Sequence, residues 1–177
     1  MQSMVIRKMS LRWNQAMLTL LGGDSEFVEP SSVSMSVALT GCIVQGFKEV
    51  DGCVVPSSFA STSIWNSARR KIENIDDETG VEVALSEVHI ENFVEKAIDI
   101  SELARLGLDF GFFLRRELKK SGIPGQFRIV VSARSADPDL RVSDTCTVRF
   151  HRQRTGQVWL ADDLEQYREE AIAVLEF

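Results

Sequence analysis

Proline and glycine are scarce in this chain, at four and eleven residues in 177. That excludes collagen-like, proline-rich and glycine-rich linker sequences, and the chain has no low-complexity tract or repeat at solenoid spacing. No apolar run approaches the roughly 20 residues that a membrane-spanning helix requires. Cysteine is limited to Cys42, Cys53 and Cys146, an odd number with no C-x-x-C pair. Such spacing belongs to neither a disulfide framework nor a zinc ribbon and points to a reducing compartment. Serines cluster between Ser57 and Ser67, yet a G-x-S-x-G elbow and an S-x-x-K motif are both missing, and so are G-x-G-x-x-G and P-loop sequences. The familiar devices for nucleophilic catalysis and nucleotide binding are therefore absent, and no cofactor is implied.

Positive charge is also in short supply. Lys and Arg number 20 against 26 Asp and Glu, giving a net charge of −6. General nucleic-acid binding needs the opposite excess to neutralise phosphates. An acidic chain of this size fits a single cytoplasmic domain spanning 1–177. The charge is uneven, however. Residues 81–100 and 162–177 are acidic, whereas Met1–Gly22 and Arg128–Arg154 are basic.

Hydrophobic periodicity organises what is present. Between Val5 and Leu21, the residues Ile6, Met9, Trp13, Met17 and Leu20 recur at intervals of three and four, which predicts an N-terminal amphipathic helix (1–22) ended by Gly22. Its basic, acid-free composition is also that of a targeting segment. Val33, Met35, Val37 and Leu39 alternate and predict a strand over Ser32–Val44, with Asp51–Gly52 as a hairpin turn and Cys53–Val55 as the returning strand. Ser63 is the expected cap of a helix over Ile64–Ile75. Val81, Val83 and Leu85, followed by Val88 and Ile90, predict a bulged strand.

The longest helical stripe is Leu103, Leu106, Phe110, Phe113, Leu114 and Leu118, which predicts a helix over Ser101–Ser121 with Gly122 as its cap. Gly107 and Gly111 inside that helix imply a close approach by another backbone. Gln126–Arg134 and Thr145–His151 alternate as two-faced strands. A short strand at Val158–Leu160 and a brief helix capped by Asp162 follow. Ala171–Phe177 reads as either further helix or a last strand, and its lack of a polar face, as in an interior strand, favours the strand. Short links between neighbouring strands predict an α+β fold, mainly antiparallel, with the long helix (about 101–121) packed on one sheet face.

Three sets of residues are candidates for chemistry. Arg128, Arg134, Arg149 and His151 project from the polar faces of the two central strands, where guanidinium groups can pair with an anionic partner. The competing reading is that the acidic segment Asp162–Glu170 lies across them. Glu87, His89 and Glu91 share one face if their segment is extended, and one imidazole with two carboxylates suits a metal or an acid/base role, with His151 as a conceivable neighbour. Asp137, Asp139 and Asp144 lack EF-hand spacing and read as turn residues. An acidic surface from Glu82, Glu87, Glu91 and Glu95 is the alternative to the arginine face. Trp13, Trp65, Trp159 and Tyr167 are scattered and read as packing residues. The expected function is a non-enzymatic module that binds a protein partner or itself, of the acidic inhibitor or immunity type found in bacteria. The alternative is a small metal-dependent or acid/base enzyme centred on Glu87, His89 and Glu91.

Overall fold

The computed structural model describes residues 9–23, 36–41, 43–94, 98–136 and 143–177. Its centre is a five-stranded antiparallel sheet in the order β1-β7-β5-β6-β4. The strands are β1 (Ser10–Trp13), β4 (Val88–His89), β5 (Phe127–Arg134), β6 (Thr145–Arg152) and β7 (Ala171–Glu176). The sequence predicts β5 and β6 to within one residue, because their alternation sorts apolar from polar side chains. Phe127, Ile129, Val131 and Ala133 of β5 and Cys146, Val148 and Phe150 of β6 all enter the main core. β7 sits between β1 and β5, which explains its lack of a polar face. Ala171, Ala173 and Leu175 face the main core, and Ile172 and Val174 face a second cluster on the other side.

Helix α5 (Ile100–Lys120) lies across one sheet face. Asp99 caps it by accepting from the Glu102 amide at 2.8 Å, and Gly122, at φ 68°, turns the chain away beyond Ser121. Gly107 and Gly111 mark where the helix touches the sheet. A Cβ on Gly107 would stand 2.5 Å from Cys146 Sγ and 3.1 Å from Val131, whereas one on Gly111 would meet Val131 at 3.3 Å. The close approach that these glycines imply is therefore made by β5 and β6.

A smaller unit flanks the β4 side. The hairpin of β2 (Phe47–Val50) and β3 (Cys53–Pro56) turns through Asp51 and Gly52, both at positive φ (48° and 78°), as the Asp-Gly pair predicts. Helices α3 (Thr62–Lys71) and α4 (Glu78–Leu85) pack with it around Cys53, Val55, Trp65 and Val81.

Several expectations are corrected. Residues 10–13 form β1, and a short helix α1 (Gln15–Leu20) starts after Asn14, so a single N-terminal helix does not run through this region. The apolar spacing spans a strand and a helix that bury the same side, and residues 1–8 lie outside the description. The strand expected over Ser32–Val44 is helix α2 (Val37–Gly41) where described, with Leu39 buried and Val37 exposed. Val81, Val83 and Leu85 belong to α4. Wedged between β3 and β6, this helix buries Val81, Glu82 and Val83 together, so its helical period is hidden. Helix α3 starts after Ser61 rather than Ser63, and it presents Trp65 to the core while Ile64 stays exposed. The segment expected as a strand at Val158–Leu160 has no strand, and a 3₁₀ turn at Leu164–Gln166, capped by Asp163, replaces the expected helix.

The glycine contacts generate a prediction. Gly107→Ala gains about 1 kcal/mol of helix propensity but overpacks against Cys146, which costs about 1–3 kcal/mol. Urea denaturation is expected to show net destabilisation in Gly107→Ala and recovery in Gly107→Ala/Cys146→Ala. Gly111→Ala is expected to stay within about 0.5 kcal/mol of the wild type, since its neighbour can yield. Equal effects at the two glycines would refute this account of the helix seat.

Candidate functional site

The polar face of the sheet, opposite α5, carries the candidate residues, and its geometry begins with one buried carboxylate. Glu82 of α4 has no solvent exposure. Its Oε1 accepts from the Val54 amide of β3 at 2.6 Å and from Arg154 at 2.7 Å, and its Oε2 accepts from the Arg152 amide of β6 at 2.6 Å and from Arg154 at 2.8 Å. These four hydrogen bonds offset the cost of burying the charge. They hold the Arg154 guanidinium above its ordinary pKa, with further help from the Glu82 charge against the opposing effect of burial. Glu82 is thus internal and does not belong to the acidic surface that the sequence suggests, and Glu95 lies outside the described residues.

From Arg154 the chain turns through Gly156 and crosses the polar face. Leu160, Leu164 and Tyr167 of this segment pack on Val130, Ile172 and Val174. Asn14 fixes the far end. Its Nδ2 donates to the carbonyls of Tyr167 (3.1 Å) and Glu170 (2.7 Å), and its Oδ1 accepts from Met17 (3.0 Å) and Ile172 (2.9 Å).

Under and beside this segment the four cationic candidates separate. Arg128 is mostly covered and pairs with Glu176 at 2.7 Å and Asp162 at 3.4 Å. Burial would raise the Glu176 carboxyl, but hydrogen bonds and charge from Arg128, with Ser10 and Arg12, hold it below the usual range. Arg134 reaches the exposed Glu169 at 3.5 Å. His151 is 3% exposed, its Nδ1 lies 3.0 Å from the Arg152 carbonyl, and its Nε2 is buried with no partner among the described residues. Burial, together with Arg128 and Arg154, pushes its pKa down. Arg134 also borders an open pocket, beside α1, and Arg149 lines the cleft that holds Trp159. Arg149 donates to Glu87 at 2.8 Å and to Thr147 at 3.1 Å, and its guanidinium lies over the Trp159 ring, 5.7 Å from the centroid. The acidic segment does lie across much of the face and neutralises two of the arginines.

The cleft has a volume of about 790 Å³. Its floor is Val130, Ser132 and Ile172, and its wall is Trp159, Leu160 and Tyr167. Asp76, Asp77, Glu87 and Glu170 also line it, four carboxylates against one cation, Arg149, among the described residues. Trp159 is 37% exposed and the adjoining Val158 is 82% exposed, so an apolar patch borders the acidic rim.

This chain belongs to the uncharacterized protein PM0498 family. The family model matches residues 12–177, which takes in every strand of the sheet from Arg12 onward and the whole cleft. No curated protein and no solved structure matches the chain.

The second candidate set also comes together, in a different arrangement. β4 ends at His89, and a 3₁₀ turn (Ile90–Phe93) brings Glu91 back towards the imidazole. Glu87 approaches Nε2 and Glu91 approaches Nδ1, each at 2.9 Å. The carboxylates thus occupy opposite sides of the ring and do not converge on one point. Among the described residues no group of three or more His, Cys, Asp or Glu could hold a metal ion. His151 lies apart, buried beside Trp159. Of the loop aspartates, Asp137 and Asp139 lie outside the description, and Asp144 accepts from the Ala136 amide at 2.6 Å as a turn residue does. The thiols of Cys53 and Cys146 are buried, which pushes their pKa values up to about 11 and about 12. Thiolate chemistry is therefore not available to them near neutral pH.

Sequence reasoning missed Asn14, Trp159 and Tyr167 as site-forming residues and placed Glu82 on the surface. The one signal that could have found Asn14 is its preference for helix N-caps.

Two predictions follow from this geometry. Glu82→Gln leaves Arg154 without its counter-charge and is expected to cost about 3 kcal/mol, while Glu82→Leu/Arg154→Leu, which removes both charges but also leaves the Val54 and Arg152 amides without an acceptor, is expected to cost at least as much. A double-variant cycle in urea checks the order. His151 is expected to make stability fall as pH drops below its ordinary 6.5, because the unfolded chain takes up a proton that the folded site resists. His151→Gln is expected to flatten the stability change between about pH 7 and pH 5.5, a window above the carboxylate titrations. An unchanged slope would mean that His151 is not the group responsible.

Proposed function

We propose that this protein is a non-enzymatic binding module that seats a basic segment of a partner protein in the cleft beside Trp159. The observation that supports this most directly is the composition of the cleft, four carboxylates and two aromatic side chains around one arginine already engaged by Glu87. Lysine and arginine side chains are attracted to carboxylates and to aromatic faces alike. The exposed Val158 and Trp159 add apolar area of the kind found at interface centres. The overall net charge of −6 steers a cationic partner towards the protein and disfavours self-pairing through this face, since a two-fold dimer would oppose like charges. This is the behaviour of the acidic inhibitor class. Among the described residues no helix is long and apolar enough to cross a membrane. The alternative, an acid/base enzyme centred on Glu87, His89 and Glu91, has less support. Both imidazole nitrogens face carboxylates, so neither is directed at open space where a substrate would sit.

The test uses fluorescent peptides of equal length carrying lysine, serine or glutamate at alternate positions, with anisotropy as the readout. The lysine peptide is expected to bind, and more weakly as salt rises. Asp76→Lys/Glu170→Lys and Trp159→Ala are each expected to weaken it about tenfold, or about 1.4 kcal/mol, with the circular dichroism spectrum unchanged. Binding of the glutamate peptide at equal strength, or indifference to both variants, would overturn the proposal.

A further inference from the structure

On the α5 side of β4 lies a second cavity, of about 380 Å³. It extends inward to Phe110, Leu114 and Phe150, which are 0%, 2% and 1% exposed and belong to the main core. Phe59, Val88 and Phe93 close its sides. The pocket is open to solvent on one side, so a ligand that covers its apolar lining gains by removing that area from water. A cavity of about 150 Å³ takes up a benzene molecule, so this one has room for a two-ring body.

The polar residues at the cavity define the charge of what fits. The Ser86 hydroxyl is spent on the Phe150 backbone, donating to its carbonyl and accepting from its amide, both at 2.9 Å. Glu87 is engaged by His89 and Arg149, and His89 by Glu87 and Glu91. The ionisable residues of the described lining, Glu87 and His89, are thus already engaged by other side chains, and the exposed Asn92 amide supplies an uncharged polar contact.

We propose that this pocket binds an uncharged, mainly apolar molecule of about two-ring size, at a site separate from the partner cleft, with which it shares the Glu87 side chain. An ionised ligand is disfavoured, since a charge carried into the apolar interior would be desolvated and the described lining offers no free counter-charge.

The test is calorimetric titration of the full-length protein with 2-naphthalenemethanol, 2-naphthoate and 2-naphthylmethylamine, three probes that share one ring system and differ in charge. The alcohol is expected to bind at least about tenfold more tightly than either ion, and its ring protons are expected to show nuclear Overhauser contacts to the Leu114 and Val88 methyl groups. Val88→Trp, which fills the cavity from its edge, is expected to abolish alcohol binding. The Overhauser contacts on the wild type keep the test decisive should that variant fold poorly. Failure of the alcohol to bind, contacts to any other site, or equal binding of a charged probe would each overturn the proposal. The lysine-peptide affinity of Val88→Trp separates this result from the cleft, because a folded variant that loses the alcohol is expected to keep the peptide.

Discussion

The carboxylate of Glu82 is the point on which the β4 side of the molecule is assembled. It joins three elements that no other feature brings to a common point: α4, which supplies it, and the backbones of β3 and β6, which donate to it. A charge buried without partners would be untenable, so the helix, the hairpin and the sheet must arrive together for any of them to be stable. The local cost of that arrangement is visible in the sequence, where a glutamate interrupts Val81 and Val83 at a position of zero exposure.

Asn14 plays the corresponding part on the opposite flank, where it fills all four of its hydrogen-bonding positions from α1, β7 and the Tyr167–Glu170 turn. The two anchors act on one segment. Residues 154–170 leave the sheet at Arg154, which Glu82 holds, and return to it at Glu170, which Asn14 holds. Trp159 and Tyr167 therefore stand on a strap fixed at both ends, and the cleft proposed to seat a partner is already formed in the chain by itself. Preorganisation of this kind lowers the entropy lost on association.

The parts legible in the sequence were those in which one element faces one environment per side. β5, β6 and α5 each turn one continuous apolar stripe to the main core, so their periods of two and 3.6 survive in the residue pattern even though Val130 and His151 are buried on the other sheet face. β7 was legible for the opposite reason, since a strand buried on both faces shows no polar side. The hairpin at Asp51–Gly52 was legible through turn chemistry alone. α4 was misread because it is enclosed on several sides, and β1 with α1 because a strand and a helix in series happened to place Trp13, Met17 and Leu20 at helical intervals. The arginine face was legible as alternation, but its charge was not. Which carboxylates meet Arg128 and Arg134 depends on a crossing segment more than twenty residues away in sequence, and no local pattern encodes that. The triplet Glu87, His89 and Glu91 was grouped correctly, but its geometry turned on a 3₁₀ turn that alternation did not predict.

The outer margin of β6 has a consequence of its own. β4 covers it only at Thr147 and Val148, yet the amides on either side are not left bare. Glu91 takes the Cys146 amide, Ser86 that of Phe150 and Glu82 that of Arg152. An intruding strand from another molecule would find these donors already consumed by side chains. The sheet is thereby barred from growing into a fibril along this border without spending a full-length strand to seal it.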